Sequence, residues 1–177
     1  PWDERMKKAN RDGTLVFLEN LDPSYTSSEI EDLIWRVFKE KVHARMIERT
    51  SFSSPNYGEA FVIFKMKILA DLAISELNRR FLLLDGRPII GRRRSPSEFA
   101  KSSAYIGHLC INTARHQEEH MASTSHFSEP NTIEYGMALE WKVLLENADL
   151  CWKALHEIQA ERIEEVKSNQ GRKSKEH

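Results

Sequence analysis

The stretch Asn56-Tyr57-Gly58-Glu59-Ala60-Phe61-Val62-Ile63-Phe64 limits the possible folds more than any other part of this chain. Successive strand residues point to opposite faces. Ala60, Val62 and Phe64 therefore share one face, and Glu59, Phe61 and Ile63 share the other. Both faces carry large apolar groups. A second segment with the same property, Leu15-Val16-Phe17-Leu18-Glu19-Asn20-Leu21, lies about forty residues upstream. An aromatic on the outward face of such a strand is costly unless something stacks on it.

Helical periodicity fills the intervals. Trp2, Met6 and Ala9 mark a lead-in helix over 1–12, ended by Gly13. Asp22-Pro23 makes a turn, and Thr26, Ser27 or Ser28 can cap a helix with Glu29, Glu31 and Asp32 in its first turn. Ile30, Leu33, Ile34, Val37 and Phe38 form that helix's apolar stripe. Val42–Ile47 reads as a strand, and 49–57 as a loop. A second helix over 68–79 has Leu69, Leu72, Ala73 and Leu77 on its inner side. Phe81–Leu84, a turn at Asp85-Gly86, and an edge strand at Pro88-Ile89-Ile90 follow. Trp35, Phe38 and Phe64 are assigned to the core. The order βαββαβ is the ferredoxin-like split arrangement, an α+β fold.

The domain is bounded at 13–95. Residues 96–130 read as an irregular linker with a possible extra strand at 103–112. A mainly helical extension over 131–168 starts at an Asn131 cap with Glu134 three residues on. It is expected as two helices, the second from about 148, and 169–177 as a disordered tail. Starting at Pro1, without Met, the chain is expected to be a fragment of something longer.

Residues 1–99 hold 17 Lys/Arg against 15 Asp/Glu, and residues 100–177 hold 9 against 12. The weakly basic half coincides with the βαββαβ segment, which suits a polyanion partner. Cys110 and Cys151 are too few for a disulfide framework and read as reduced thiols. His108, Cys110, His116, His120 and His126 crowd one region, but no CxxC pair exists and the spacings fit no closed zinc site, so no metal is expected. No nucleophile elbow, phosphate loop or dinucleotide fingerprint is present, so the expectation is a protein that is not an enzyme and needs no cofactor. No apolar run is long enough to span a bilayer.

The two central segments resemble the ribonucleoprotein motifs of an RNA-recognition motif, the RRM. In that fold, outward aromatics of the two strands stack on splayed single-stranded bases. Phe17 and Phe61 match two stacking positions. Glu59 stands where a third aromatic is usual, and Tyr57 where Arg or Lys would reach a phosphate. Arg92, Arg93 and Arg94 leave the last strand where they could contact phosphates, and Ser95-Pro96 could be phosphorylated there. The RNA-binding set is therefore Phe17, Phe61, Glu59, Tyr57, Arg92, Arg93 and Arg94. The competing reading is an RRM scaffold whose sheet is covered by protein. Arg87-Pro88-Ile89 lacks the Phe of peptide-binding RRMs, which argues against that variety only.

Gly13–Ser27, Ala44–Ser51, Gly58–Lys65, Ile106-Gly107-His108, Thr124-Ser125-His126 and Glu129–Glu134 together resemble the plant anti-silencing proteins that join a BAH domain to an RRM. Thr124–Glu134 is the most specific of these, since general RRMs lack it. One departure is Phe127, where that family pattern has Cys. The resemblance implies a nuclear, chromatin-associated regulator that promotes full-length transcripts of genes with heterochromatic introns over early polyadenylation. It further implies that the RRM contacts single-stranded pre-mRNA, with a bridging RRM protein and a PHD-type chromatin factor as partners.

Overall fold

The computed structural model describes residues 1–48, 56–98 and 125–173. Its elements are α1 (Trp2–Asp12), β1 (Leu15–Leu21), α2 (Ser27–Phe38), β2 (His43–Met46), β3 (Gly58–Ile63), α3 (Lys67–Arg79), β4 (Leu82–Leu84), β5 (Arg87–Arg92), a 3-10 turn (Pro96–Glu98), β6 (His126–Phe127) and α4 (Ile133–Lys173). The strands form one antiparallel sheet in the order β2-β3-β1-β5-β4-β6. This is an RRM-type α+β fold with a long C-terminal helix. The chain divides into two compact units between Ala138 and Leu139.

Strand alternation builds the core. Val16 and Leu18 of β1 meet Ala60 and Val62 of β3, and Ile30, Leu33 and Ile34 of α2 join Ala70, Ala73 and Leu77 of α3 over them. The α2 N-terminus is fixed by a capping box: the Thr26 hydroxyl accepts from the Glu29 N–H, and the Glu29 carboxylate accepts from the Thr26 N–H at 2.7 Å. Two expected core residues lie elsewhere. Leu72 is exposed, with Ala70 taking the inward place, and Trp35 is exposed with the Lys41 ammonium over its ring. Such an exposed cation–π contact is worth about 0.5–1 kcal/mol and offsets part of the cost of leaving the indole in solvent.

Asp85 (φ 52°) and Gly86 (φ 74°) turn β4 into β5, a two-residue hairpin with both centres left-handed. The resulting β5 is not an edge, contrary to the expectation from Pro88, because it lies between β1 and β4. Pro88 is tolerated for a local reason. Leu84–Arg87 closes the hairpin, so the next pair, Leu83–Pro88, falls at a non-hydrogen-bonded step. On the other side the β1 ladder stops at Glu19–Ile90, where Asn20 turns left-handed (φ 61°) and its amide donates to the Pro88 carbonyl at 3.1 Å.

The β2 edge is also occupied. The Ala44 N–H donates to Glu31 at 2.8 Å and the Met46 N–H to the Ser27 hydroxyl at 3.0 Å, so α2 side chains satisfy donors an open edge would present. The extension over 131–168 is one helix, not two. No Pro or Gly interrupts Ala138–Glu165, and Asn147 alone is too weak a breaker. The suggested strand at 103–112 lies outside the described residues. Among those described, no helix is long and apolar enough to cross a membrane.

Burial pushes the Tyr25 hydroxyl from 10 up to about 12, helped by the nearby Asp22 and Asp85 carboxylates. The folded protein thus holds this proton where the unfolded chain releases it. Stability from this group is complete below pH 10 and is lost as pH rises toward 12. Tyr25→Phe is expected to flatten the fall in Tm between pH 9.5 and about 11.5. It should cost little at pH 7, since the hydroxyl has no hydrogen-bond partner among the described residues. Thermal melts of both proteins across that range check this.

Candidate nucleic-acid interface

Phe17 and Phe61 face each other across β1 and β3, as the alternation requires, with ring centroids 5.4 Å apart and planes tilted by 52°. They stand on the face opposite α2 and α3, where an RRM presents stacking aromatics. They are not open. Phe17 is 0% and Phe61 3% exposed.

The cover is α1. Trp2, Met6 and Ala9 recur at i, i+4, i+7 and lie on one side of the helix. Ala9 and Met6 pack with Leu15, Phe17, Phe61, Ile47 and Ile63 into a second small core on the outer face. Gly13 at φ 72° ends the helix, a conformation that is costly for a residue with a Cβ. The Thr14 N–H donates to the Ala9 carbonyl at 2.9 Å, and the Phe64 N–H to the Thr14 carbonyl at 2.9 Å. These bonds fold α1 back and lead the chain directly into β1. At the far end, Trp2 lies near the guanidinium groups of Arg5 (5.3 Å) and Arg45 (5.9 Å).

The three arginines at the end of β5 and just beyond it are engaged within the protein. Arg92, opposite Phe17 in the ladder, donates both to Glu19 Oε1 and to Oε2. Arg93 donates to the Leu15 carbonyl at 2.7 Å and to Asp71. Hydrogen bonds from Lys67 and then Arg93 hold the Asp71 carboxyl below the usual range. Arg94 sits 5.1 Å above the Phe17 ring. Arg92 and Arg94 thus close over the outer face, while Arg93 reaches to α3 on the other side of the sheet. Tyr57 precedes β3 and is half-buried, as is Glu59, whose carbonyl accepts from the Ile47 N–H at 2.9 Å.

The structure therefore brings Phe17, Phe61, Arg92 and Arg94 together on one face, with the aromatics beneath α1, and turns Arg93 toward α3. Sequence reasoning found α1 and its stripe but not where the stripe docks. It also missed Glu19, the partner of Arg92, because the two are 73 residues apart.

The Thr124–Glu134 stretch has a structural role from Ser125 onward. His126 and Phe127 pair with Leu83 and Leu82, adding β6 to the β4 edge. The Ser128 N–H donates to the Phe81 carbonyl at 2.8 Å. Phe127 packs edge-on to Phe38, and the Arg80 guanidinium lies 4.4 Å above its ring while ion-pairing with Glu76 and Glu129. Tyr135 and Ala138 then cover Phe81 and Leu83. His126 Nε2 lies 2.7 Å from Glu134. Among the described residues no three potential metal ligands cluster, and His108, Cys110, His116 and His120 lie outside them.

Comparison with known proteins fits this architecture. Residues 16–89 match the RNA recognition motif family. Protein ANTI-SILENCING 1 of Arabidopsis thaliana is 38% identical over 171 residues, which is 95% of this chain. This chain is a relative of an RRM-containing anti-silencing protein. It spans 26% of that relative's length. Among solved structures, the Mip6 RRM3 domain is 17% identical with a TM-score of 0.38, covering 46% of this chain and 93% of that one. The C. elegans NONO-1 homodimer is 18% identical with a TM-score of 0.40, covering 89% and 62%.

Proposed function

We propose that this chain is the RNA-binding module of a nuclear, chromatin-associated regulator. That regulator would favour full-length transcripts over early polyadenylation at genes with heterochromatic introns. The carrying observation is the pairing of Phe17 and Phe61 at facing positions of the two central strands. Such a pair offers two adjacent surfaces for bases, and each stack is worth about 1–3 kcal/mol. The work is binding, not catalysis. A bridging RRM protein and a PHD-type chromatin factor are the partners this reading assigns, on the similarity to Protein ANTI-SILENCING 1.

RNA reaches these rings only when α1 lifts. Ala9→Glu places a charge against Phe17 and Phe61 at only a small loss of helix propensity, and so favours the open state. Fluorescence anisotropy with short single-stranded RNAs tests the reading. Ala9→Glu is expected to bind more tightly than the parent chain. Adding Phe17→Leu and Phe61→Leu, which keep apolar bulk but remove the rings, is expected to cost at least tenfold, since about 1.4 kcal/mol is tenfold. No binding by any variant, or no effect of the rings, would sink it. A second reading then stands: an RRM scaffold for protein contacts, favoured by the near-zero exposure of both rings.

A further inference from the structure

Twelve of the sixteen large apolar residues left exposed among those described lie on α4. The rest of the sheet domain leaves little room for a partner. Its outer face carries α1, its β4 edge carries β6, and donors of its β2 edge are met by α2 side chains. The 139–173 part of α4 is different in kind. Trp141, Leu144, Ala148, Cys151, Leu155 and Ile158 follow each other at spacings of 3, 4, 3, 4 and 3. That is a heptad seam of six consecutive small or apolar positions. Its large members are well exposed: Trp141 38%, Leu144 61%, Leu155 43% and Ile158 61%.

The seam has a second regularity. Read from either end it runs large, large, small, small, large, large. It is symmetric about the midpoint of Ala148 and Cys151. A closed two-fold interface needs a patch that is complementary to itself. Two antiparallel copies in this register set Trp141 against Ile158, Leu144 against Leu155 and Ala148 against Cys151, so the close approach falls where the side chains are small. Leu145 and Trp152, each one residue beyond a seam position, meet across the pair and widen it. Lys142 and Glu146, 3.9 Å apart, occupy other positions of the heptad.

We infer that α4 is a homodimerisation helix that pairs antiparallel with a second copy of this chain through the seam Trp141–Ile158. Antiparallel pairing is selected by the charges that follow. Arg162 and Glu165 occupy the next two seam positions. A parallel in-register pair would oppose Arg162 to Arg162 and Glu165 to Glu165, whereas the antiparallel register sets Arg162 against Met137 and so removes the arginine pair, with Glu165 meeting Glu134 beyond the seam. The eight side chains would bury on the order of 700 Å² per helix, close to the roughly 800 Å² per partner of a standard stable interface.

The 177-residue chain is expected to run in multi-angle light scattering at twice its 20.6 kDa, from about 10 µM upward. Leu144→Glu with Leu155→Glu is expected to halve that mass. Leu150→Lys, off the seam, is expected to leave it unchanged. A chain that is monomeric up to about 200 µM overturns the proposal, as does a double variant that stays dimeric or a Leu150→Lys variant that does not. Orientation is read by electron-spin distances with one label at position 157, Cys110 and Cys151 being replaced by Ser. The antiparallel pair separates the labels by about 22 Å along the axis, at about 1.5 Å per residue. A separation shorter than that axial offset of about 22 Å overturns the antiparallel arrangement.

Discussion

Replacing Phe17 with Ala is expected to destabilise the protein by about 3–5 kcal/mol, the range for truncating a buried aromatic. Phe17 has 0% exposure and is held on every side: Phe61 at 5.4 Å, Ala9 and Met6 of α1, and the Arg94 guanidinium at 5.1 Å. Truncation leaves a cavity that α1 can fill only by leaving the bonds that fix it at Gly13 and Thr14. Whole domains are stable by about 5–15 kcal/mol, so the loss is a large share of the total. Urea unfolding checks it: the midpoint should fall sharply, and much less for Phe17→Leu. A shift under about 1 kcal/mol would show that α1 does not close over the ring in solution. The result bears directly on RNA experiments. An Ala variant that loses binding has also lost a large share of its stability, so ring removal has to be read with Leu.

Much of this fold was legible because short-range patterns decide it. The alternation in 58–64 gave both faces of β3 correctly, the Thr26–Glu29 box placed the start of α2, and Asp85-Gly86 placed the hairpin. What failed depends on distant partners. The outward direction of Phe17 and Phe61 follows from period two, but their burial follows from where a helix eleven residues long comes to rest. The internal engagement of Arg92, Arg93 and Arg94 could not be read because Glu19, Asp71 and the Phe17 ring are far away in sequence. Pro88 read as an edge because ladder gaps caused by a left-handed Asn20 cannot be seen locally. β6 is two residues long, too short for any periodicity to mark, although the family-like character of Thr124–Glu134 had singled out the segment.

Trimming the chain to residues 13–95, the limits that the motif alone suggests, is expected to lower Tm by more than 10 °C. Two separate pieces of core go with the trimmed ends. Loss of α1 uncovers Phe17 and Phe61, and loss of the segment after Ser125 uncovers Phe81 and Leu83 and strips Phe127 and its Arg80 clasp. Uncovering roughly 50 Å² on each of four large side chains forfeits on the order of 5 kcal/mol at about 25 cal/mol per Å². Part of this is offset by the entropy of the segments no longer ordered. A net loss of about 3 kcal/mol already moves Tm by more than 10 °C in a domain of this size, at about 4–8 °C per kcal/mol. The two outer cores share no residue, so their contributions should add. Calorimetry on the full chain, a chain lacking 1–12, a chain ending at 95 and the doubly trimmed fragment measures both terms and their sum. A doubly trimmed fragment melting within about 3 °C of the full chain would show that neither α1 nor β6 is part of the cooperative domain. If the terms add, the two ends differ in consequence. Removing the C-terminal side weakens the scaffold and leaves Phe17 and Phe61 shut beneath α1. Removing α1 also costs stability, but it is the cut that bares Phe17 and Phe61 to RNA.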